Sequence, residues 1–180
     1  MRKLSMEELG RKSVDEFHAA DKSPMVVVLD NVRSMHNVGS VFRSADAFLV
    51  EAIYLCGYTP CPPHRDIHKT ALGATETVQW KYEPDIAILM QQLKEAGYLL
   101  FAVEQAEGSV PLHQISFPTL RKIALIFGNE VEGVQAGVIA QCDACVEIPQ
   151  LGMKHSLNIS VAAGIALWEM HKKQQLERRV

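Results

Sequence analysis

Short apolar runs rich in Val, Ile and Leu recur along the whole chain and are separated by longer amphipathic or polar stretches. Most of these runs do not alternate between apolar and polar residues, which is typical of strands buried on both faces of a sheet. The predicted strands are residues 25–29, 52–55, 98–103, 123–127 and 145–148, with a weaker candidate at residues 78–82.

Helical periodicity fills much of the chain between these strands. Val41, Ala45 and Phe48 recur at helical spacing and would share one face of a helix. Near the start of the chain, the SMEE segment at residues 5–8 has the form of a capping box, which predicts a helix up to about Ala20. The predicted helices are residues 5–20, 38–48, 85–96 and 157–173, and residues 57–68, rich in Gly, Pro and His, are predicted as a surface loop.

The alternation of strands and helices predicts a parallel sheet with helices on both faces, so the expected fold class is α/β. A chain of 180 residues, 48% of them hydrophobic, suits one domain with a substantial core. We expect residues 1–24 to form an N-terminal helical extension and residues 25–180 to form that single domain.

The charge balance excludes a protein that coats nucleic acid without specificity. The formal net charge is −3, whereas nonspecific binders gain affinity when many basic groups release counterions. The basic residues nevertheless cluster, and a fold that joined the clusters would present one positive cleft on an acidic protein. The alternative is scattered solvated charges. The clusters are Arg33 and Arg43; His64, Arg65, His68 and Lys69; and Lys154 and His155.

The sequence indicates neither a membrane anchor nor a metal site. No uninterrupted apolar run approaches the ~18 residues of a membrane helix, and the first residues lead into a polar segment, so we expect a cytoplasmic protein. Cys142 and Cys145 have the spacing of half a zinc site, but Cys145 enters an apolar predicted strand. Cys56 and Cys61 lack a matching spacing. We therefore expect no metal and no disulfide.

The first motif is DNVRSMHNVGSVFRSADAF, residues 30–48, where a predicted strand ends and a helix follows. Ligands of open parallel sheets bind beyond the carboxyl ends of the strands, so Asn37 and Arg43 are well placed for a ligand. Arg43 has apolar neighbours in sequence, a setting that suits a guanidinium held for phosphate recognition. The alternative is an Asn at a helix N-cap and a solvated Arg.

The second motif is ALIFGNEVEGV, residues 124–134. A predicted strand opens into a turn in which Gly128 and Gly133 allow a ligand to approach the backbone closely, with Glu130 between them. The spacing differs from the G-x-G-x-x-G fingerprint of dinucleotide-binding folds. The alternative is a simple tight strand-to-helix turn.

The third motif is IPQLGMKHSLNISVAAGIALWEM, residues 148–170. A strand ends at Ile148, and a helix begins around Ser156 and Asn158, which on their own could be simple caps. The small residues of this helix let another backbone approach, so we expect the helix to be deeply buried or packed against a partner. One of its faces carries Val161, Ile165 and Trp168.

Together the three motifs resemble, in content and order, those of the SpoU (TrmH-like) branch of the SPOUT RNA methyltransferases. The resemblance covers roughly residues 25–171. SLNISVAAGI after an Ile-Pro pair, with G-x-E-x-x-G before it and N-x-G-x-x-x-R far upstream, is a specific combination. The resemblance implies a sheet whose C-terminal part is threaded into a trefoil knot, a rare exception among folds. It also implies S-adenosylmethionine in that knot and a homodimer with its active sites near the interface.

The implied reaction is methyl transfer to a ribose 2′-hydroxyl of tRNA or rRNA, with tRNA slightly favoured. The resemblance assigns the main chain of Gly128, Ile148 and Leu157 to the cofactor, and Asn37, Arg43, Glu130, Ser156 and Asn158 to catalysis and substrate placement. Arg43 is the family's proposed base, but a guanidinium stays protonated at neutral pH, which favours a phosphate clamp instead. Candidates for RNA contact are His64, Arg65, His68 and Lys69.

Two other function classes stay open. One is a catalytically silent RNA-binding module of the same fold, which the retained polar residues disfavour. The other is a nucleotide-dependent oxidoreductase of Rossmann type, which the missing glycine fingerprint disfavours.

Overall fold

The computed structural model describes residues 1–5, 8–118, 121–154 and 156–177. Residues 6–7 of the predicted N-terminal helix and His155 of the third basic cluster lie outside these ranges. In chain order the described strands are β1 (Ser23–Asp30), β2 (Val50–Cys56), β3 (Gln79–Glu83), β4 (Tyr98–Val103), β5 (Val110–Pro111), β6 (Lys122–Phe127) and β7 (Ala144–Glu147). They form one parallel sheet in the order β3-β2-β1-β6-β4-β7-β5.

Helices cover both faces of this sheet, which confirms the predicted α/β class. They are α1 (Val14–Ala19), α2 (Met35–Ala47), α3 (Arg65–Ala71), α4 (Ala74–Thr77), α5 (Ile86–Glu95), α6 (Ala136–Ile139) and α7 (Ile159–Glu177). Buried residues of α1, α2, α3, α4 and α7 join one apolar cluster, and those of α5 and α6 join the other.

The apolar run of β1 lies at the centre of the sheet. Each residue from Met25 to Leu29 is fully buried. Met25, Val27 and Leu29 belong to the α2–α7 cluster, whereas Val26 and Val28 face the α5 cluster. Burial of each such side chain contributes about 1.5–3 kcal/mol. The run has no polar residue because neither face of the strand meets water.

The chain proceeds from β1 toward one edge of the sheet and from β6 toward the opposite edge. From β1 the chain proceeds outward to β2 and β3, and from β6 it crosses β4 to reach β7. Leu29 pairs with Phe127, and Ala102 pairs with Ile126, so the carboxyl ends of β1, β6 and β4 lie together. A crevice beyond such a switch point is the usual ligand site of an open α/β sheet.

The predicted start of the N-terminal helix is wrong. Helix α1 begins at Val14 behind a capping box formed by Ser13 and Glu16. Ser5 and Glu8 do exchange the two hydrogen bonds of a capping box, at 2.8 and 3.3 Å. The turn does not continue, because Gly10 has a φ of +56°, outside the helical region. The predicted division at residue 24 stays a prediction.

The surface loop predicted over residues 57–68 is also wrong in its last part, because α3 begins at Arg65. The ring nitrogen Nδ1 of His64 accepts a hydrogen bond from the backbone N–H of Asp66 and caps the helix. The weak strand candidate at residues 78–82 is confirmed as β3. Helix α7 begins at Ile159 rather than residue 157 and continues to Glu177. Elements β5, α4 and α6, each four residues or fewer, were not predicted.

Candidate active site

A cleft of about 790 Å³ opens beyond the carboxyl ends of β4, β6 and β7. This volume is within the range of small-molecule sites, about 300–1,000 Å³. The cleft brings together six of the eight predicted cofactor and catalytic residues: Gly128, Glu130, Ile148, Ser156, Leu157 and Asn158.

The wall of the cleft is a tight turn after β6. Asn129 and Gly133 exchange two backbone hydrogen bonds, at 3.1 and 2.9 Å. A Cβ atom on Gly128 would overlap the backbone of Gly133, and Gly133 itself has a φ of +68°. The tight-turn interpretation of this motif is therefore correct, and the same turn also lines the cleft.

Glu130 ties this turn to the loop between β1 and α2. Its carboxylate accepts hydrogen bonds from the backbone N–H groups of Arg33 and Ser34, at 2.9 and 3.0 Å, and from Nδ2 of Asn37, at 3.0 Å. Burial alone would raise the pKa of Glu130, but these hydrogen bonds outweigh it and hold the pKa below its ordinary value. Glu130 is therefore an ionised anchor at neutral pH, a state that suits a hydrogen-bond acceptor rather than a general acid.

Asn37 continues this network across to α7. Its Oδ1 accepts a hydrogen bond from Nδ2 of Asn158 at 3.0 Å. Asn158 also accepts from the backbone N–H of Ser160, so its capping role is real as well. The N-cap of α2 is Ser34 rather than Asn37. The bonds from Glu130 through Asn37 to Asn158 join all three motifs, and we call these three residues the polar relay.

Arg43 lies outside this arrangement within one chain. It does not line the cleft, its side chain is exposed, and it makes no hydrogen bond or ion pair within the described residues. The reason is helical geometry: Arg43 lies six residues after Asn37, which places it about 240° around the helix axis and about 9 Å further along it. The structure therefore brings together four of the five predicted catalytic residues and leaves Arg43 on the surface.

Helix α7 packs along α2 with matching direction. Asn37 bonds to Asn158, Ser44 lies beside Gly164, and the rings of Phe48 and Trp168 are 6.1 Å apart. The small-residue face of α7 is buried, as expected, with Ala163 and Ala166 fully covered. The opposite face is not buried in this chain: the exposed fractions are 50% for Val161, 39% for Ile165 and 55% for Trp168. We call these three residues the α7 apolar face.

Three of the candidate RNA-contact residues lie on α3 and His64 is its N-cap, and α3 packs tightly against α2. A Cβ atom on Gly39 would overlap Thr70 Oγ1 and the backbone oxygen of Ile67, so the helices approach as closely as glycine permits. Arg65, His68 and Lys69 are exposed, although Lys69 forms an ion pair with Asp66 at 2.7 Å. His64 is partly buried at the cap. Lys154 is exposed in the loop before α7.

Glu104 is a site residue that the sequence reasoning missed. It follows β4 directly and lines the cleft. Its Oε2 accepts from the backbone N–H of Val134 at 2.9 Å, and its Oε1 accepts from Gln105 N–H at 2.8 Å. A polar residue at the carboxyl end of a predicted central strand was the signal that could have identified it.

The cysteines show no metal-site geometry. Sγ of Cys142 lies 3.3 Å from the oxygen of Val138, and burial raises the pKa of the Cys142 thiol to about 11. Across the ranges that the structure describes, no three His, Cys, Asp or Glu residues are grouped to hold a metal ion, and no helix is long and apolar enough to cross a membrane.

Comparisons with known proteins agree with this geometry. The model of the SpoU rRNA Methylase family matches residues 24–168. A 23S rRNA (guanosine-2′-O-)-methyltransferase of Vibrio parahaemolyticus is 32% identical over 162 residues, which cover 90% of this chain and 64% of that relative. A tRNA (guanosine(18)-2′-O)-methyltransferase of Thermus thermophilus is 29% identical over 167 residues, which cover 93% of this chain and 84% of that protein.

Solved structures give the same result. The A. aeolicus TrmH/SpoU tRNA modifying enzyme superposes with a TM-score of 0.79 at 25% identity, over 90% of this chain and 80% of that one. An AdoMet-bound rRNA methyltransferase from Sinorhizobium meliloti superposes with a TM-score of 0.78 at 28% identity, over 87% and 59% of the two chains. With a family match over most of its length and most of the motif residues assembled at one cleft, the chain belongs to the SpoU rRNA methylase family.

Proposed function

We propose that this protein transfers a methyl group from S-adenosylmethionine to a ribose 2′-hydroxyl of tRNA or rRNA. The observation that carries the proposal is the polar relay of Glu130, Asn37 and Asn158 at a cleft formed by three strand ends. The relatives named above act on guanosine 2′-hydroxyls of rRNA and tRNA. The chain spans 64% of the length of the first of them, and the shared part contains the whole relay.

The charge of the cleft favours S-adenosylmethionine over a dinucleotide. Three carboxylates, Glu104, Glu130 and Glu132, line it, and its described lining contains no Lys, Arg or His. A sulfonium and an α-ammonium group are attracted to such a site, whereas a pyrophosphate is repelled. The apolar surfaces of Phe127, Ile148 and others suit an adenine ring, and the main chain at residues 128, 148 and 157 would hydrogen-bond its edge.

The cofactor supplies an electrophilic methyl group, and positioning is the main task of the protein. The attacking oxygen must lie in line with the breaking bond at roughly 3–3.5 Å, with water excluded. Asn37 and Asn158 would hold the ribose, and Glu130 would hold the β1–α2 loop that faces it. Arg43 would clamp the phosphate beside the target and stabilise the developing negative charge on the 2′-oxygen.

In a dimer, Arg43 of one copy of the chain would reach the cleft of the other copy. It lies on the exposed side of α2, and α2 packs against α7, whose apolar face is also exposed. Val161, Ile165 and Trp168 form an exposed apolar patch, and such a patch favours coverage by a partner. We therefore propose a homodimer through this face, with a C-terminal trefoil knot enclosing the cofactor.

RNA would extend from the cleft across α3, where Arg65, His68 and Lys69 are available for phosphate contacts. The slight preference for tRNA over rRNA stays a prediction. The expected cytoplasmic location also stays a prediction.

The decisive experiment is incubation with unmodified total RNA and methyl-labelled cofactor, followed by alkaline hydrolysis. A 2′-O-methyl group blocks cleavage of the adjacent phosphodiester, so label should appear in alkali-resistant dinucleotides. The matched control is Asn158→Ala, which interrupts the polar relay and should abolish the label. Label confined to mononucleotides would mean base methylation and would overturn the proposal. Cofactor binding by calorimetry without any transfer would indicate the silent RNA-binding module.

A further inference from the structure

A second cleft of about 500 Å³ adjoins the first. Arg33, Met35, Tyr58 and Pro60 line it, and it shares Glu132 and its neighbours in the 129–132 turn with the larger cleft. The turn is therefore a common wall between the two spaces. A nucleotide whose ribose is held at Asn37 and Asn158, as proposed above, would have its base on the other side of this turn, in the second cleft.

Tyr58 forms a rigid and accessible aromatic surface in this second cleft. Its exposed fraction is 60%, yet it is held at both ends. Its backbone N–H donates to Oδ1 of Asn31 at 3.3 Å, and its hydroxyl oxygen accepts from Nδ2 of Asn129 at 2.8 Å. Single-stranded RNA is commonly recognised when a splayed base stacks on such a ring. A ring that is already fixed loses little conformational entropy when a base binds.

The polar groups around the ring distinguish among the bases. The carboxylate of Glu132 and the guanidinium of Arg33 have no hydrogen-bond partner within the described residues, although both line the cleft. A carboxylate accepts two adjacent N–H donors, and guanine alone among the four bases presents two, at N1 and N2. Arginine pairs in a bidentate manner with O6 and N7, on the other edge of the same base.

We propose that the second cleft is the base-reading subsite and that it selects guanine. The guanine ring stacks on Tyr58, Glu132 accepts hydrogen bonds from N1–H and N2–H, and Arg33 donates hydrogen bonds to O6 and N7. The inference rests on the proposed function, because it takes RNA as the substrate.

The test uses 5′-GMP, 5′-IMP, 5′-AMP and 5′-CMP as probes. The full chain is first saturated with S-adenosylhomocysteine, so that the adenosine site cannot accept the probes. Binding is followed by the backbone amide signals of Tyr58 and Glu132 in NMR titrations. We expect saturable binding of GMP in the millimolar range. IMP, which lacks the N2 amino group, should bind roughly tenfold more weakly, in line with the loss of part of a bidentate contact.

Two variants and one control locate the effect. Glu132→Gln should weaken GMP binding by roughly tenfold and remove the preference for GMP over IMP. Tyr58→Leu should weaken binding of all four nucleotides, because stacking is independent of base identity. Glu107→Gln changes an exposed carboxylate elsewhere and should behave like the unmodified chain. Equal binding of all four nucleotides, or a GMP preference that survives Glu132→Gln, would overturn the proposal.

Methyl transfer to total RNA is measured in parallel, with the product digested to nucleosides. Methyl transfer to ribose, without selective binding of guanine in the second cleft, would refute the base-reading subsite and leave the proposed function intact. Guanine-selective binding without any transfer would sink the proposed enzymatic function and leave the subsite intact.

Discussion

The anchoring of Glu130 leads to a prediction about stability that is independent of RNA. Glu130→Gln keeps the shape of the side chain but removes its charge and one acceptor oxygen. In the native chain the carboxylate accepts three hydrogen bonds, from Arg33, Ser34 and Asn37. The amide of the variant accepts at one oxygen only, and its NH₂ group faces an N–H donor of the loop.

The size of the effect follows from these contacts. A hydrogen bond to a charged group contributes about 1.5–3 kcal/mol when buried, and a neutral one about half as much. Glu130 is only partly buried, so water replaces part of the loss. We expect the free energy of unfolding to fall by about 2 kcal/mol at neutral pH.

The pH dependence has a definite sign. Because the folded pKa of Glu130 lies below its ordinary value, the anchoring contribution is complete above the unfolded pKa of about 4.3. It disappears as the pH falls through the folded pKa, where the carboxylate is protonated in both states. The difference between the native chain and Glu130→Gln should therefore be largest at neutral pH and shrink toward zero in acid.

Urea unfolding followed by circular dichroism, at a series of pH values, measures this difference. Glu107→Gln is the matched control, since Glu107 is exposed and makes no hydrogen bond or ion pair within the described residues. A difference that does not change between neutral and acidic pH would refute the anchoring argument. So would a variant that is as stable as the control at neutral pH.

Three further predictions concern packing, assembly and catalysis. Gly39→Ala should lower the free energy of unfolding by about 1–3 kcal/mol, because the new methyl group overlaps α3. Thermal unfolding measures this, with Gly137→Ala, whose methyl group meets open space, as the control; equal melting temperatures for the two variants would contradict the close approach of α2 and α3. Ile165→Lys should convert the proposed homodimer to a monomer in sedimentation velocity, whereas Ile88→Lys, at a similarly exposed position on α5, should leave it dimeric. A native chain that sediments as a monomer would refute the proposed interface. Arg43→Lys should lower kcat/KM for RNA by about a hundredfold, and near-normal turnover would exclude a planar, bidentate role.

The fold class could be predicted because the strands are buried on both faces. A run such as residues 25–29 is stable in water only when helices cover both of its sides, and this requirement defines the α/β class. Helix α3 could not be recognised in the same way. It buries only Ile67 and Ala71, and it follows a stretch with Pro60, Pro62 and Pro63, so its periodicity is too weak to outweigh that composition.

The site could be predicted in its membership but not in its connections. The motifs identify Asn37, Glu130 and Asn158, yet the hydrogen bonds that join them span 93 and 121 residues of sequence and depend on the tertiary fold. Glu104 was missed because a single carboxylate after a strand has the same sequence pattern whether it is solvated or anchors a turn. The exposure of Arg43 depends on how α2 rotates against the core, which its sequence neighbours do not determine.

The bond between Asn37 and Asn158 has a consequence for biosynthesis. The ribosome makes Asn37 121 residues before its partner, and the cleft also needs Ile148 and Leu157 from the same late segment. A nascent chain that ends before this segment can form β1 and α2 but has no complete place for the cofactor. Cofactor binding therefore requires that synthesis has reached the start of α7, and products truncated before Ile148 should not bind the cofactor.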